Sequence, residues 1–310
     1  MDTPILFIIF NRPELSNEVF QQIRLIKPKK LYIAADGPRA NIESDQVLCD
    51  QTRKIIHKID WDCDVHKLFN ESNLGIRYGV AKAIDWFFAN EVEGIIIEDD
   101  CFADESFFQY CKVLLEKFRE DEKVMLISGT NLKGVNSDRN ESYFFSGFPR
   151  VWGWASWRRS WIKFDIEMKD WPKYRDHKWL QNKKDFHEDM RFMWENIFND
   201  SFHKKINSWD HIWFYTIYKN NGLSVIPQIN LVKNIGFGPN ATHTIVTEKM
   251  DDPNIFGHLK FPISHPEHIE RDKEFDSWID IEYYKSRVSI GRRLLRRIPY
   301  LRQIWKFCKK

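Results

Sequence analysis

Gly94-Ile95-Ile96-Ile97-Glu98-Asp99-Asp100 is the stretch on which the reading of this chain turns. Three branched apolar residues in a row suit a strand covered on both faces, as in a parallel sheet. They run straight into three carboxylates. The same signature recurs upstream. Pro4-Ile5-Leu6-Phe7-Ile8-Ile9-Phe10 ends at Asn11-Arg12-Pro13, and Leu31-Tyr32-Ile33-Ala34-Ala35 ends at Asp36-Gly37-Pro38. Amphipathic helices are predicted between these strands. One starts at Pro13 and carries Leu15, Val19, Ile23 and Ile26 inward. A second follows Ser44, and a third spans Tyr78–Phe88. A fourth is capped by Asp104 and carries Phe107, Phe108, Cys111, Leu114, Leu115 and Phe118 at a 3.6-residue period. Weaker strands are predicted at Val65–Phe69 and Val124–Ile127. Alternating strands and helices predict an α/β fold with a mostly parallel central sheet flanked by helices.

In such sheets ligands bind outside the carboxyl ends of the strands. Glu98, Asp99 and Asp100 at one strand end suit a divalent cation on oxygen ligands, shared with substrate phosphates. Asp36, at the second strand end, has the chemistry to hydrogen-bond a nucleobase or ribose. Arg12, at the first, has the chemistry to pair with a phosphate. Singly, each fits a plain alternative: a solvated strand end, an Asp-Gly turn, a surface arginine. Together on one rim they describe a nucleotide-and-metal cleft. No Gly-x-Gly-x-x-Gly follows the first strand and no Gly-x-x-x-x-Gly-Lys-Ser/Thr occurs, which disfavours dinucleotide dehydrogenases and P-loop NTPases. A Gly-x-Ser-x-Gly nucleophile elbow is also absent.

Residues 131–215 change character, becoming aromatic, basic and less periodic. Nine of the thirteen Trp fall between Trp152 and Trp213. Most are expected in the core, with one or two at the site as a platform for the C–H faces of a sugar. A glycine-bearing loop, Asn234 to Thr244, follows Val225–Ile229, and residues 247–282 read as irregular.

These motifs together resemble the GT-A glycosyltransferases, whose hallmark is an acidic triplet at a strand end. The pattern is similar to the inverting N-acetylglucosaminyltransferase I type and to related bacterial nucleotide-sugar transferases. The Glu98-Asp99-Asp100 triplet, the aromatic helix at Ser106-Phe107-Phe108-Gln109-Tyr110, Phe148-Pro149 through Gly153-Trp154, Trp209-Asp210-His211-Ile212-Trp213 and a loop His at His243 occur in the family's order. A departure is His211, where that family has a second acid. The resemblance implies a GT-A fold and an Mn²⁺ (or Mg²⁺) ion bound by Asp100. It implies that Asp99 touches ribose, Glu98 the sugar and Asp36 the uracil edge. Arg12 and, more weakly, Arg77 would face the phosphates. His243 would close over the phosphate or metal, and Asp210 would be the catalytic base. The implied reaction moves a sugar from a UDP-sugar, of GlcNAc type in the closest pattern, to a glycan, lipid-linked or other hydroxyl acceptor. A nucleotidyltransferase or phosphohydrolase on the same sheet, and a non-catalytic sugar-nucleotide or membrane-surface binding protein, stay open as alternatives.

Residues 1–130 are expected to form the nucleotide-sugar-binding half and residues 131–284 the acceptor-binding and catalytic half of one domain, with residues 285–310 as a basic amphipathic tail. The formal charge of the whole chain is only +2, and no nucleic-acid partner is expected on that sum. The sum hides an asymmetry. From Lys285 to Lys310 there are ten Lys or Arg and no acid, which leaves −8 for the first 284 residues. Five scattered Cys without a Cys-x-x-Cys pair suit reduced thiols. No basic stretch precedes Pro4–Phe10, so a cytoplasmic location is expected, peripheral on the inner membrane face through Arg287–Lys310. Deleting residues 287–310 is expected to abolish sedimentation with anionic lipid vesicles while leaving nucleotide binding intact. Unchanged co-sedimentation would contradict the role given to the tail.

Overall fold

The computed structural model describes residues 1–134, 140–183, 187–236 and 256–284. His243, the rest of the segment 237–255 and the basic tail lie outside the described residues. In chain order the elements begin β1 (Ile5–Ile9), α1 (Pro13–Ile26), β2 (Lys30–Ala35), α2 (Glu43–Arg53), β3 (Asp64–Phe69), α3 (Gly75–Asn90) and β4 (Glu93–Glu98). They continue through β5 (Cys101–Ala103), α4 (Glu105–Lys117), β6 (Val124–Ser128), β7 (Tyr143–Ser146), β8 (Trp154–Trp157) and α5 (Arg158–Trp161). The remainder are α6 (Trp171–Asp176), α7 (Glu188–Phe202), α8 (Asp210–Lys219), β9 (Leu223–Pro227), β10 (Val232–Asn234) and α9 (Lys273–Trp278).

Eight strands form one sheet in the order β3-β2-β1-β4-β8-β6-β9-β7, while β5 and β10 make a separate antiparallel pair. Only β8 and β7 run against the other six. This is the expected α/β architecture, a large and mostly parallel central sheet flanked by helices. The strand period of two explains why β1, β2 and β4 are apolar without interruption. Ile5, Phe7, Ile9, Leu31, Ile33, Ile95 and Ile97 pack against α1 and α4 on one face. Leu6, Tyr32, Ala34 and Ile96 pack against α3 on the other, with Trp154, Trp161, Trp209 and Trp213. A third cluster joins Phe144 and Ile226 of the sheet to α6, α7, α8 and α9.

Two sequence expectations are corrected here. The aromatic stretch beginning at Trp152, part of the region read as less periodic, contains a regular strand. Its residues Trp154–Trp157 form β8, which inserts antiparallel between β4 and β6. Trp154 faces one core cluster, and Ala155 and Trp157 the other, so bulky residues are needed on both faces and no amphipathic signal survives. The region 247–282, read as irregular, contains α9, whose Asp272 side chain accepts a hydrogen bond from the Phe275 N–H. Among the described residues no helix is long and apolar enough to cross a membrane.

Gly94 lets α3 pack close to the sheet. A Cβ there would press on the Phe87 ring and lie 2.8 Å from the Pro4 carbonyl oxygen, which is backbone and has no room to yield. Gly94→Ala is expected to lower the unfolding free energy by about 1–3 kcal/mol through overpacking, measured by urea denaturation. An unchanged midpoint would contradict the packing described.

Candidate active site

The carboxyl ends of β1, β2 and β4 open into one cleft of about 550 Å³. Because β2 and β4 flank β1, the chain leaves these strands toward opposite sides, and the gap forms at that switch. Arg12, Asp36, Glu98, Asp99 and Asp100 line it. The loop entering α8 supplies the other side, with Asn207, Ser208, Trp209 and Asp210. Trp152 also lines the cleft and is half-buried, whereas Trp154, Trp157 and Trp161 are buried in the core.

Like charges crowd the end of β4. Asp99 is buried, and its Oδ2 accepts a hydrogen bond from the Phe10 N–H at 3.1 Å. Arg12 Nη1 lies 3.0 Å from Asp100 Oδ2 and 3.7 Å from Asp99 Oδ1. One arginine does not neutralise three acids. Burial, and then the neighbouring Asp100, push the Asp99 carboxyl up to about 7. Glu98 is held well above the usual carboxylate range by burial first, then by Asp100, Asp99 and Asp210. That Asp210 acts on Glu98 places it within electrostatic reach across the cleft. Over Asp100 the chain returns closely: Ile235 N–H donates to the Asp100 carbonyl at 2.7 Å. A Cβ on Gly236 would lie 2.6 Å from Asp100 Oδ2, so only glycine fits there.

Asp210 is the first residue of α8. Its Oδ1 accepts hydrogen bonds from the Ser208 hydroxyl and from the His211 N–H at 2.8 Å. Among the described residues no hydrogen bond reaches Oδ2. His211 Nδ1 lies 3.6 Å from Asp210 Oδ1. The buried indoles of Trp209 and Trp213 flank this carboxylate in sequence and anchor α8 against Trp154.

Two residues differ from their expected roles. Arg77 does not line the cleft. It is only 2% exposed, and its guanidinium donates to the carbonyls of Ser201 (2.7 Å), Ile206 (3.4 Å) and Ile166 (2.7 Å). A phosphate has no access to it. Asp36 does border the cleft, but its carboxylate is already engaged. It accepts from the N–H groups of Gly37, Leu74 and Gly75 and from the side-chain amides of Asn70 and Asn73. With both oxygens so occupied it holds the start of α3 rather than offering an acceptor to a base edge.

Arg39 was not singled out by sequence and does line the cleft. Its Nε and Nη2 donate to the buried Asp45 carboxylate at 2.6 and 2.9 Å, and it sits 5.6 Å above the Phe10 ring. This pairing holds Asp45 at about 2. Asn70 and Asn73, which follow β3, also line the cleft. The signal for all three is polar residues in the loops that follow strand ends, Asn70 directly after β3 and Arg39 and Asn73 further along.

Among the described residues no three of His, Cys, Asp and Glu converge as a ready-made metal cage. The oxygen-rich, under-neutralised carboxylates fit a different arrangement, a hard cation held by one protein carboxylate and completed by ligand phosphates.

No family model matches the chain, and no curated protein matches it. Solved structures do show likeness. The TarS 1–349 structure from S. aureus is 9% identical, matches 76% of this chain and 61% of its own length, and has a TM-score of 0.43. HddC from Yersinia pseudotuberculosis is 10% identical over 46% of this chain and 59% of its own, with a TM-score of 0.28. A UDP-glucose pyrophosphorylase solved with UDP-glucose is 10% identical over 47% and 62%, with a TM-score of 0.27. The chain thus spans about three fifths of each of these structures. The case for function rests on the cleft.

A carboxyl raised in the folded state takes up a proton on folding between its unfolded value near 4 and its folded value of about 7. Below that window Asp99 is protonated in both states. Through it, stability falls as pH rises, because the folded state bears the cost of ionising a crowded acid. Asp99→Asn is expected to flatten this fall when urea unfolding is compared at about pH 4.5 and about pH 7.5. An unchanged slope would contradict the crowding.

Proposed function

We propose that the chain is a glycosyltransferase that moves a sugar from a UDP-sugar to a hydroxyl of a glycan or lipid-linked acceptor, inverting the anomeric centre in one displacement. The observation that carries this reading is the facing of two chemistries across one cleft. Arg12, Glu98, Asp99 and Asp100 lie at the strand ends, and Asp210 lies on the α8 loop opposite. The resemblance of the sequence motifs to GT-A enzymes supports it.

The division of labour follows from charge. A sugar leaving a nucleoside diphosphate leaves negative charge on the departing phosphate. Positive charge at that end lowers the barrier, and Arg12 is the cationic side chain set among the β4 acids. A divalent cation held by Asp100 would supply further positive charge there. Glu98 and Asp99, with carboxyls raised by burial, can meet sugar and ribose hydroxyls as donors or acceptors. The attacking hydroxyl must lose its proton as it bonds to the anomeric carbon. Asp210 lines the cleft, its Oδ1 is held by Ser208 and His211, and its Oδ2 is the oxygen that would take it. The half-buried Trp152 offers an aromatic face for the acceptor sugar. His243 remains a candidate for closing the phosphate side, and the basic tail a candidate for holding the enzyme on an anionic membrane.

Calorimetric titration with UDP should show binding that strengthens when Mn²⁺ is added. Asp210→Asn should lower sugar transfer or donor hydrolysis by about 10²–10⁴-fold with UDP–Mn²⁺ binding preserved. No UDP binding with or without Mn²⁺ would reject the proposal, and loss of UDP binding in Asp210→Asn would make Asp210 a structural residue instead of the base.

A further inference from the structure

We infer that Arg77 and Asp36 are positioning residues, which together make the first turn of α3 the joint that sets where the Asp210 carboxylate stands. This inference deepens the proposed function and rests on Asp210 being its base.

The joint can be traced bond by bond. Asp36 leaves the end of β2 and receives the N–H groups of Leu74 and Gly75, each at 3.0 Å. These are donors with no partner inside the helix, so the carboxylate both satisfies them and complements the positive end of α3. The same carboxylate gathers the Asn70 and Asn73 amides and so fixes the loop from β3 to α3. Gly75 takes φ +75, and a Cβ there would lie 3.3 Å from the Asn207 side-chain nitrogen. The segment that carries Asp210 therefore rests directly on the turn that Asp36 holds.

Two residues further along α3, Arg77 reaches the same segment from inside. Ser201 lies in the last turn of α7, and its carbonyl accepts from the Arg77 guanidinium as well as from the Lys204 N–H at 3.0 Å. Ile206 lies four residues before Asp210. Ile166 belongs to the loop after α5. One guanidinium bonds all three carbonyls from a site that is 2% exposed. Its planar fork gives several fixed donors at once, which a lysine ammonium does not reproduce. The strand ends that hold the nucleotide side and the loop that holds the base are thereby referred to the same helical turn. A small displacement of a reacting group costs a large factor in rate even when binding is intact.

The test uses the full-length chain and separates position from contact. For Arg77→Ala we expect hydrolysis of UDP-GlcNAc in Mn²⁺ to lose about tenfold or more in kcat, with donor KM and UDP affinity within about twofold, and partial recovery of kcat on adding guanidinium ion. Hydrogen exchange needs no substrate. It should accelerate in residues 202–209 and stay unchanged in β1, β2 and β4. A raised KM at constant kcat would overturn the inference by making Arg77 a ligand contact, and unchanged exchange over 202–209 would overturn it outright. Should Arg77→Ala not fold, Arg77→Lys should show the same local exchange pattern in milder form, and its absence there is equally decisive. If the wild type neither binds UDP nor hydrolyses any donor, the proposed function fails, while the exchange result still decides whether Arg77 clamps this segment.

Discussion

The confinement of Glu98, Asp99 and Asp100 at the end of β4, beside Arg12, is the constraint on which the rest of the structure depends. Carboxylates are seldom left crowded and partly dry without a reason, because each raises the cost of ionising its neighbours. The fold goes to some length to keep them there. The Phe10 N–H, at the end of the adjacent strand, is directed to Asp99. The Arg12 guanidinium is turned onto Asp100. The pair of β5 and β10 brings Gly236 over Asp100, where no side chain fits. A cation arriving with a ligand, as the proposed function requires, would relieve this crowding.

The opposite wall is built by different means. Around Asp210 the wall is built first by burial of large aromatic rings. Trp154 from β8, Trp161 from α5, and Trp209 and Trp213 around α8 pack on one another and against the sheet. The Arg77 guanidinium then fixes the segment before Asp210 through its carbonyls. One half of the chain thus presents acids with a cation, and the other presents a single acid on an aromatic base. Both walls are tied to one sheet, because β8, whose Trp154 packs on Trp209 and Trp213, is hydrogen-bonded to β4 itself.

Much of this was legible in the sequence, for a definable reason. Strands buried on both faces are uninterrupted apolar runs, so β1, β2 and β4 announce themselves, and the residues that follow them must lie at one rim. That logic located Arg12, Asp36 and the β4 acids. The same logic could not tell which strand-end side chains face ligand and which are spent inside the protein. Asp36 looked like a ligand contact because its partners, the N–H groups of Leu74 and Gly75, are distant in sequence. Arg77 looked like a weaker phosphate contact because the carbonyls it binds lie beyond residue 165. Strand β8 was hidden because Trp154–Trp157 is short and broken by Ser156, so it shows neither an uninterrupted apolar run nor a clear alternation. Arg39 was overlooked because its fixed orientation depends on Asp45, a buried acid that reads as an ordinary helix residue.

In the proposed reaction this cleft releases a nucleoside diphosphate as it transfers a sugar. Phosphorus-31 NMR of the products formed from a UDP-sugar in the presence of Mn²⁺ tests it most directly. UDP is expected as the only phosphorus-containing product. Release of UMP with a sugar phosphate would contradict it, as would UTP and a sugar phosphate formed when pyrophosphate is added, and either would place the chain among enzymes that cut the diphosphate itself.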